Sequence, residues 1–133
     1  AETLGERPAY RNAFRRRRCV VPANGWYEWQ KTASGKQPYF LTRRDGELIA
    51  FAGLWERWVD RGSGETIESC TIVTTAAPPA LAAIHDRMPA ILSQEAMAQW
   101  LDPRVTEDAR LAPLLGASEA DAIEARPVSR EVN

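Results

Sequence analysis

Apolar and polar positions in this chain switch between a two-residue and a helical period. Residues 7–18, RPAYRNAFRRRR, predict a short helix with Pro8 in its first turn. CVVPANGWYEWQ then predicts two strands around Asn24-Gly25, a pair that tolerates positive φ. QPYFLTRRDGELIAFAGLWERW predicts a hairpin turned at Asp45-Gly46. In its second arm Leu48, Ile49, Phe51, Leu54 and Trp55 place apolar groups on both faces, the pattern of a central strand covered on both sides. GSGE at 62–65 is a turn, and TIESCTIVTT is a β-branched strand. APPALAAIH predicts a short helix starting near its prolines, and MPAIL a short strand. SQEAMAQWL is a helix with Ser93 as N-cap and Glu95 in the first turn. TEDARLAPLL repeats that design with Thr106 as cap, and the tail from Ile123 adds a last strand.

These elements predict one α+β domain over residues 1–133. Its sheet is mainly antiparallel or mixed and curled into a pseudo-barrel, with short peripheral helices. The length suffices for one domain with its own core, and 44% apolar with 26% charged residues is ordinary for a globular protein. No apolar run approaches the roughly 18–20 residues of a membrane helix, and no signal peptide opens the chain, so a cytoplasmic protein without a membrane partner is expected. The first residue is Ala1 rather than methionine, so the start is expected to have been trimmed.

Charge changes the picture. Residues 1–44 hold ten Lys/Arg against three Glu, and residues 45–133 hold seven against fifteen Asp/Glu. A cationic end of this kind suits a polyanion such as nucleic acid, or is a solvated helix face. At helical spacing Arg11, Arg15 and Arg18 share one side that could neutralise phosphates. Tryptophans 26, 29, 55 and 58 offer stacking surfaces for unpaired bases or pack as core; Trp55 is expected in the core and Trp29 at the surface.

Two cysteines and one histidine, with no C-x-x-C, argue against a zinc site. Cys19 and Cys70 lie in apolar, β-branched surroundings and read as small buried hydrophobes. Alternation on GWYEW puts Trp26 and Glu28 on one face, Tyr27 and Trp29 on the other. A carboxylate among aromatic rings loses hydration, which raises its pKa toward general acid–base use; otherwise Glu28 is a surface glutamate. His85 in AAIHDRMP could carry a proton near neutrality, or be a favourable charge at a helix end.

Taken together, RRCVVPANGWYEW, KQPYFL, FAGLWE, CTIVTTAA, IHDRMPAIL, WLDP and PVSREVN resemble the SOS response-associated peptidase (SRAP) family, in order and over essentially the whole chain. The resemblance implies processing of abasic sites in single-stranded DNA as part of DNA-damage repair and the SOS response, without a metal or other cofactor, by a monomer. In that family an N-terminal cysteine, exposed by self-removal of the initiator methionine, attacks the aldehyde of the opened sugar. Its thiol then closes the imine into a thiazolidine crosslink. The motif match carries the family's catalytic glutamate onto Glu28 and its histidine onto His85. Arg87 would hold a phosphate, and Trp29 would support the strand.

The chain departs from the family pattern at its start. No nucleophilic cysteine opens it, and neither Cys19 nor Cys70 has a free α-amine, so it resembles the C-terminal two-thirds of a member, with the N-terminal part missing. Trp26 stands where phenylalanine is commoner. Two readings of other classes remain: a thiol peptidase using Cys19 with His85 and Glu28, and a non-catalytic single-strand DNA-binding module.

Overall fold

In the computed structural model, which describes residues 1–132, the strands form three antiparallel sheets. Helix α1 (Pro8–Arg16) leads into β1 (Arg18–Ala23), β2 (Trp26–Thr32), β3 (Gly35–Arg43), β4 (Ile49–Val59), β5 (Thr66–Ile72) and β6 (Thr74–Ala76). Then come α2 (Pro79–Ala82), β7 (Arg87–Pro89), α3 (Gln94–Leu101), α4 (Asp108–Leu111) and β8 (Ile123–Pro127), with two 3₁₀ turns before β8. One sheet runs β1-β4-β5, the second β2-β3-β8, and β6 pairs with β7.

The strands therefore do not curl into the expected barrel. The two turns read as hairpins explain why. Asn24-Gly25 joins β1 to β2, and Asp45-Gly46 joins β3 to β4, but in each case the flanking strands belong to different sheets. Gly46 does take positive φ (76°). Gly25 does not, and its reason is space: a Cβ there would lie 2.7 Å from the Phe40 ring and against the Leu41 carbonyl. TIESCTIVTT also divides. Its last residues leave β5 after Ile72 and pair with β7 as β6. Main-chain bonds join the pieces at one junction: the Val73 amide donates to Ala52, Ala52 to Ala90, and Ala90 to Val73, all at 2.8–2.9 Å.

β4 is central, as its pattern predicts, but it is covered on both faces only in its first half. Ile49 and Phe51 pack with Leu41, Met88, Ile91 and Ile123 on one side. Ala52 and Leu54 pack with Phe14, Trp100, Leu111 and Leu115 on the other. Each large side chain so buried contributes about 1.5–3 kcal/mol. Beyond Leu54 the cover ends: Trp55 is 37% exposed and Trp58 57%, so Trp55 is not core, and Leu48, in the turn before β4, is 61% exposed. Cys19 is half-buried, whereas Cys70 lies exposed on β5, not buried as expected.

Ser93 caps α3 as expected, its hydroxyl accepting the Ala96 amide at 3.1 Å. Thr106 does not cap α4; the helix starts one residue later, after Glu107, without a side-chain cap. None of the described helices is long and apolar enough to cross a membrane.

Candidate functional site

Glu28 sits mid-way along β2, directly opposite Tyr39 of β3. Alternation sends Trp26 and Glu28 to the inner side of the strand, where they line a narrow pocket with Leu81, Ile84, His85, Arg87 and Met88. His85 arrives from another part of the chain. Pro78 and Pro79 start α2, and the chain leaves it at Ala83. The amides of Ile84 (2.9 Å) and His85 (3.2 Å) both donate to the Leu81 carbonyl, and Ala77 donates to Asp86 (2.9 Å), so the loop is held from both ends. The structure brings Glu28 and His85 to one hollow across 57 positions of sequence.

The pocket between them holds about 10 Å³, room for roughly one water molecule. A wider cleft of about 270 Å³ opens beside it, lined by Trp29, Lys31, Ala82, Ala83, Ile84, His85 and Asp86. That volume is near the lower end of small-molecule sites. His85 lines both spaces, as does Ile84, and so connects the wider cleft to the pocket that Glu28 lines.

Burial raises the pKa of Glu28, and Asp86 adds to the rise; the charge of His85 and the indole N–H of Trp26 act against it. That N–H is buried and reaches no acceptor at hydrogen-bonding geometry, although the carboxylate still feels it as a partial positive charge. At His85 both the amide and the carbonyl of Arg87 lie 3.0 Å from Nδ1. An unprotonated Nδ1 accepts the amide, which leaves the ring proton on Nε2; a protonated Nδ1 donates to the carbonyl. Either state finds a partner in the same residue. The Asp86 carboxylate lies 3.4 Å from Nδ1.

Three of the predicted DNA contacts are already engaged. Arg87 pairs with both oxygens of Glu2 (2.9 and 3.0 Å) and donates to the Thr74 carbonyl (2.8 Å). The ion pair holds the Glu2 carboxyl well below the usual range. The Ala1 nitrogen also lies against the Thr74 carbonyl, so the first residues lie beside Arg87. Arg15 forms a bidentate pair with Asp108, both contacts at 2.8 Å. Arg18 does not share a helix face with Arg11 and Arg15: α1 ends at Arg16, and Arg18 opens β1 with its guanidinium turned inward onto main-chain carbonyls. Trp29 alone presents its side chain to the open cleft, beside His85.

The family model described as "SOS response associated peptidase (SRAP)" matches residues 1–133. The chain belongs to the SRAP family. It is 40% identical over 134 residues to the abasic site processing protein YoqW of Bacillus subtilis (strain 168), covering 100% of this chain and 59% of that protein. It is 34% identical over 132 residues to the abasic site processing protein YedK of Escherichia coli (strain K12), covering 98% of this chain and again 59% of the relative. A crystal structure of a Bacteroides thetaiotaomicron protein superposes with a TM-score of 0.92 at 32% identity, covering 98% of this chain and 57% of that one. The chain thus spans a little under three-fifths of the length of these relatives.

Within this SRAP chain, Cys19 and His85 do not meet. Cys19 lines a separate surface with Val20, Val21, Trp55 and Cys70, and burial pushes its thiol pKa up, away from the thiolate a nucleophile needs. Among the described residues no group of three His, Cys, Asp or Glu side chains is placed to hold a metal ion. Two residues at the site had no part in the sequence reading: Gln30 and Tyr39. Alternation from Glu28 was the available signal for Gln30; Tyr39 needed the β2–β3 register.

Proposed function

We infer that this chain carries the proton-transfer half of an abasic-site processing domain acting on single-stranded DNA. The observation that supports it is the convergence of Glu28 and His85 on one pocket, with His85 also lining the wider cleft beside it. The reaction is covalent capture. His85 delivers a proton to the ring oxygen of the closed abasic sugar as its 1-hydroxyl proton leaves, which frees the aldehyde. The α-amine of an N-terminal cysteine, contributed from outside the 133 residues, adds to the aldehyde carbon. Glu28 takes a proton from the amine and returns one to the departing hydroxyl, so that water leaves and an imine remains. The cysteine thiol then adds across the C=N bond, its proton passing to nitrogen, and closes the thiazolidine. The balance is aldehyde plus aminothiol giving thiazolidine plus one water.

A segment preceding Ala1 would enter beside Thr74 and Arg87, the residues that line or adjoin the pocket. Trp29 supports the strand next to the lesion by stacking. Arg87 reaches a phosphate only by exchanging it for Glu2. Self-removal of the initiator methionine, the peptidase step, precedes capture in this reading.

The test uses the complete gene product and an oligonucleotide with one abasic site. A heat-stable adduct is expected, slowed on the order of 10²-fold by Glu28→Gln or His85→Ala. Equal, salt-sensitive affinity for intact and abasic strands without an adduct would instead identify a non-catalytic binding module.

A further inference from the structure

Gln30 lies two residues beyond Glu28 on the same side of β2. Its side-chain amide donates to the Ala83 carbonyl at 2.8 Å, two residues before His85. Its carbonyl oxygen accepts the Tyr39 hydroxyl at 3.3 Å. Tyr39 is the residue opposite Glu28 in the β2–β3 pair. The Ala83 carbonyl can only accept, so it settles which way the amide faces: N–H toward Ala83, which leaves the oxygen for the Tyr39 hydroxyl. Among the described residues this is the one hydrogen bond joining β2 to the loop at 83–86.

We propose that Gln30 is a positioning residue, the tether that sets the spacing between Glu28 and His85. The inference rests on the acid–base reading above and deepens it. Glu28 rides on a strand and His85 on a four-residue loop after a one-turn helix. A strand paired along its whole length holds its side chains well. The loop is held at its two ends by Leu81 and Ala77, and Gln30 adds a side-chain anchor from the very strand whose carboxylate must be matched. Proton transfer falls steeply with misplacement, on the order of 10²-fold for about 1 Å.

The experiment compares Gln30→Glu and Gln30→Met in the complete gene product, reading single-turnover adduct formation on an abasic oligonucleotide from about pH 4 to about pH 8, a range that spans the ordinary glutamate pKa. The substituted carboxylate keeps the shape of the glutamine but has no proton to donate to Ala83. At neutral pH the saturating rate should fall about tenfold or more, with the half-saturating strand concentration within about twofold of the parent. As pH falls, the new carboxyl protonates and regains a donor, so the Gln30→Glu deficit should shrink relative to the parent; that of Gln30→Met should not. A purely structural role would not produce that pH-dependent rescue. Parental rates for both variants at every pH, with Glu28→Gln still slow, would overturn the tether and leave the acid–base reading standing. Parental rates for Glu28→Gln and His85→Ala as well would overturn both. If Gln30→Glu fails to fold, Tyr39→Phe, which removes one hydroxyl, should slow the reaction about threefold, and an unchanged rate would count against the proposal.

Discussion

Arg18 lays its guanidinium over the Trp100 indole, 5.6 Å from the ring centre, and donates from Nε to that residue's carbonyl at 2.6 Å. The same group reaches the carbonyls of Phe14 (3.1 Å), Asp102 (2.7 Å) and Val105 (2.9 Å). Arg18 therefore stitches α1, β1 and the end of α3 around a fully buried tryptophan. Removing it leaves those carbonyls short of a donor in a half-buried place. Arg18→Met should cost about 2–4 kcal/mol of unfolding free energy in urea titrations. Arg16→Ala, on the last residue of α1, should change it by less than about 0.5 kcal/mol.

Gly25 is expected to be intolerant of a single methyl group. The added carbon would press on the Phe40 ring and on main-chain oxygen, and backbone yields less readily than a side chain. Gly25→Ala should destabilise by about 1–3 kcal/mol. Because the next residue is Trp26, which opens β2, the shift would pass into the strand that carries Glu28. Melting temperature and adduct rate should fall together.

Glu28 is held ionised in the folded chain at a cost in stability. Burial raises its pKa, so the folded chain keeps that proton to higher pH than the unfolded chain does. Stability accordingly declines as pH rises from the ordinary glutamate range through the folded pKa, and the penalty stays constant above it. Glu28→Gln should be more stable than the parent at pH 7 by about 0.5–1 kcal/mol. The two should converge below about pH 4, where both folded and unfolded carboxyls are protonated. Denaturation curves at the two pH values check the sign.

The two helix caps predicted from the same sequence rule should part company. Ser93→Ala removes an acceptor that the Ala96 amide uses and should cost about 1 kcal/mol. Thr106→Ala removes no cap and should cost less than about 0.5 kcal/mol by thermal unfolding.

That contrast shows where the sequence was legible. Periodicity located nearly every strand and helix, and alternation at 26–29 put Glu28 and Trp29 on opposite faces, because both are properties of one segment. It could not say which strands would pair. The turns at 24–25 and 45–46 have hairpin chemistry, yet their flanking strands find partners elsewhere, since long-range burial of Leu41 and Ile49 decides the pairing. Arg18 was misread for a similar reason: a run of four arginines looks uniformly cationic until the helix ends and the next residue turns inward. Trp55 looked like core because ring size suggests burial, but β4 outruns the cover supplied by the rest of the domain. Glu28 and His85 were singled out by family resemblance, whereas Gln30 and Tyr39 come together only through the β2–β3 register.

β5 borders its sheet, hydrogen-bonded on one flank only to β4, with every residue open to water and Ile67 at 53% exposure. Such a flank is a template on which an extended polypeptide can lie down, so crowding this chain should make it sticky long before heat unfolds it. A lysine in place of Ile67, which does not line the pocket of Glu28 and His85, should raise the concentration at which turbidity sets in.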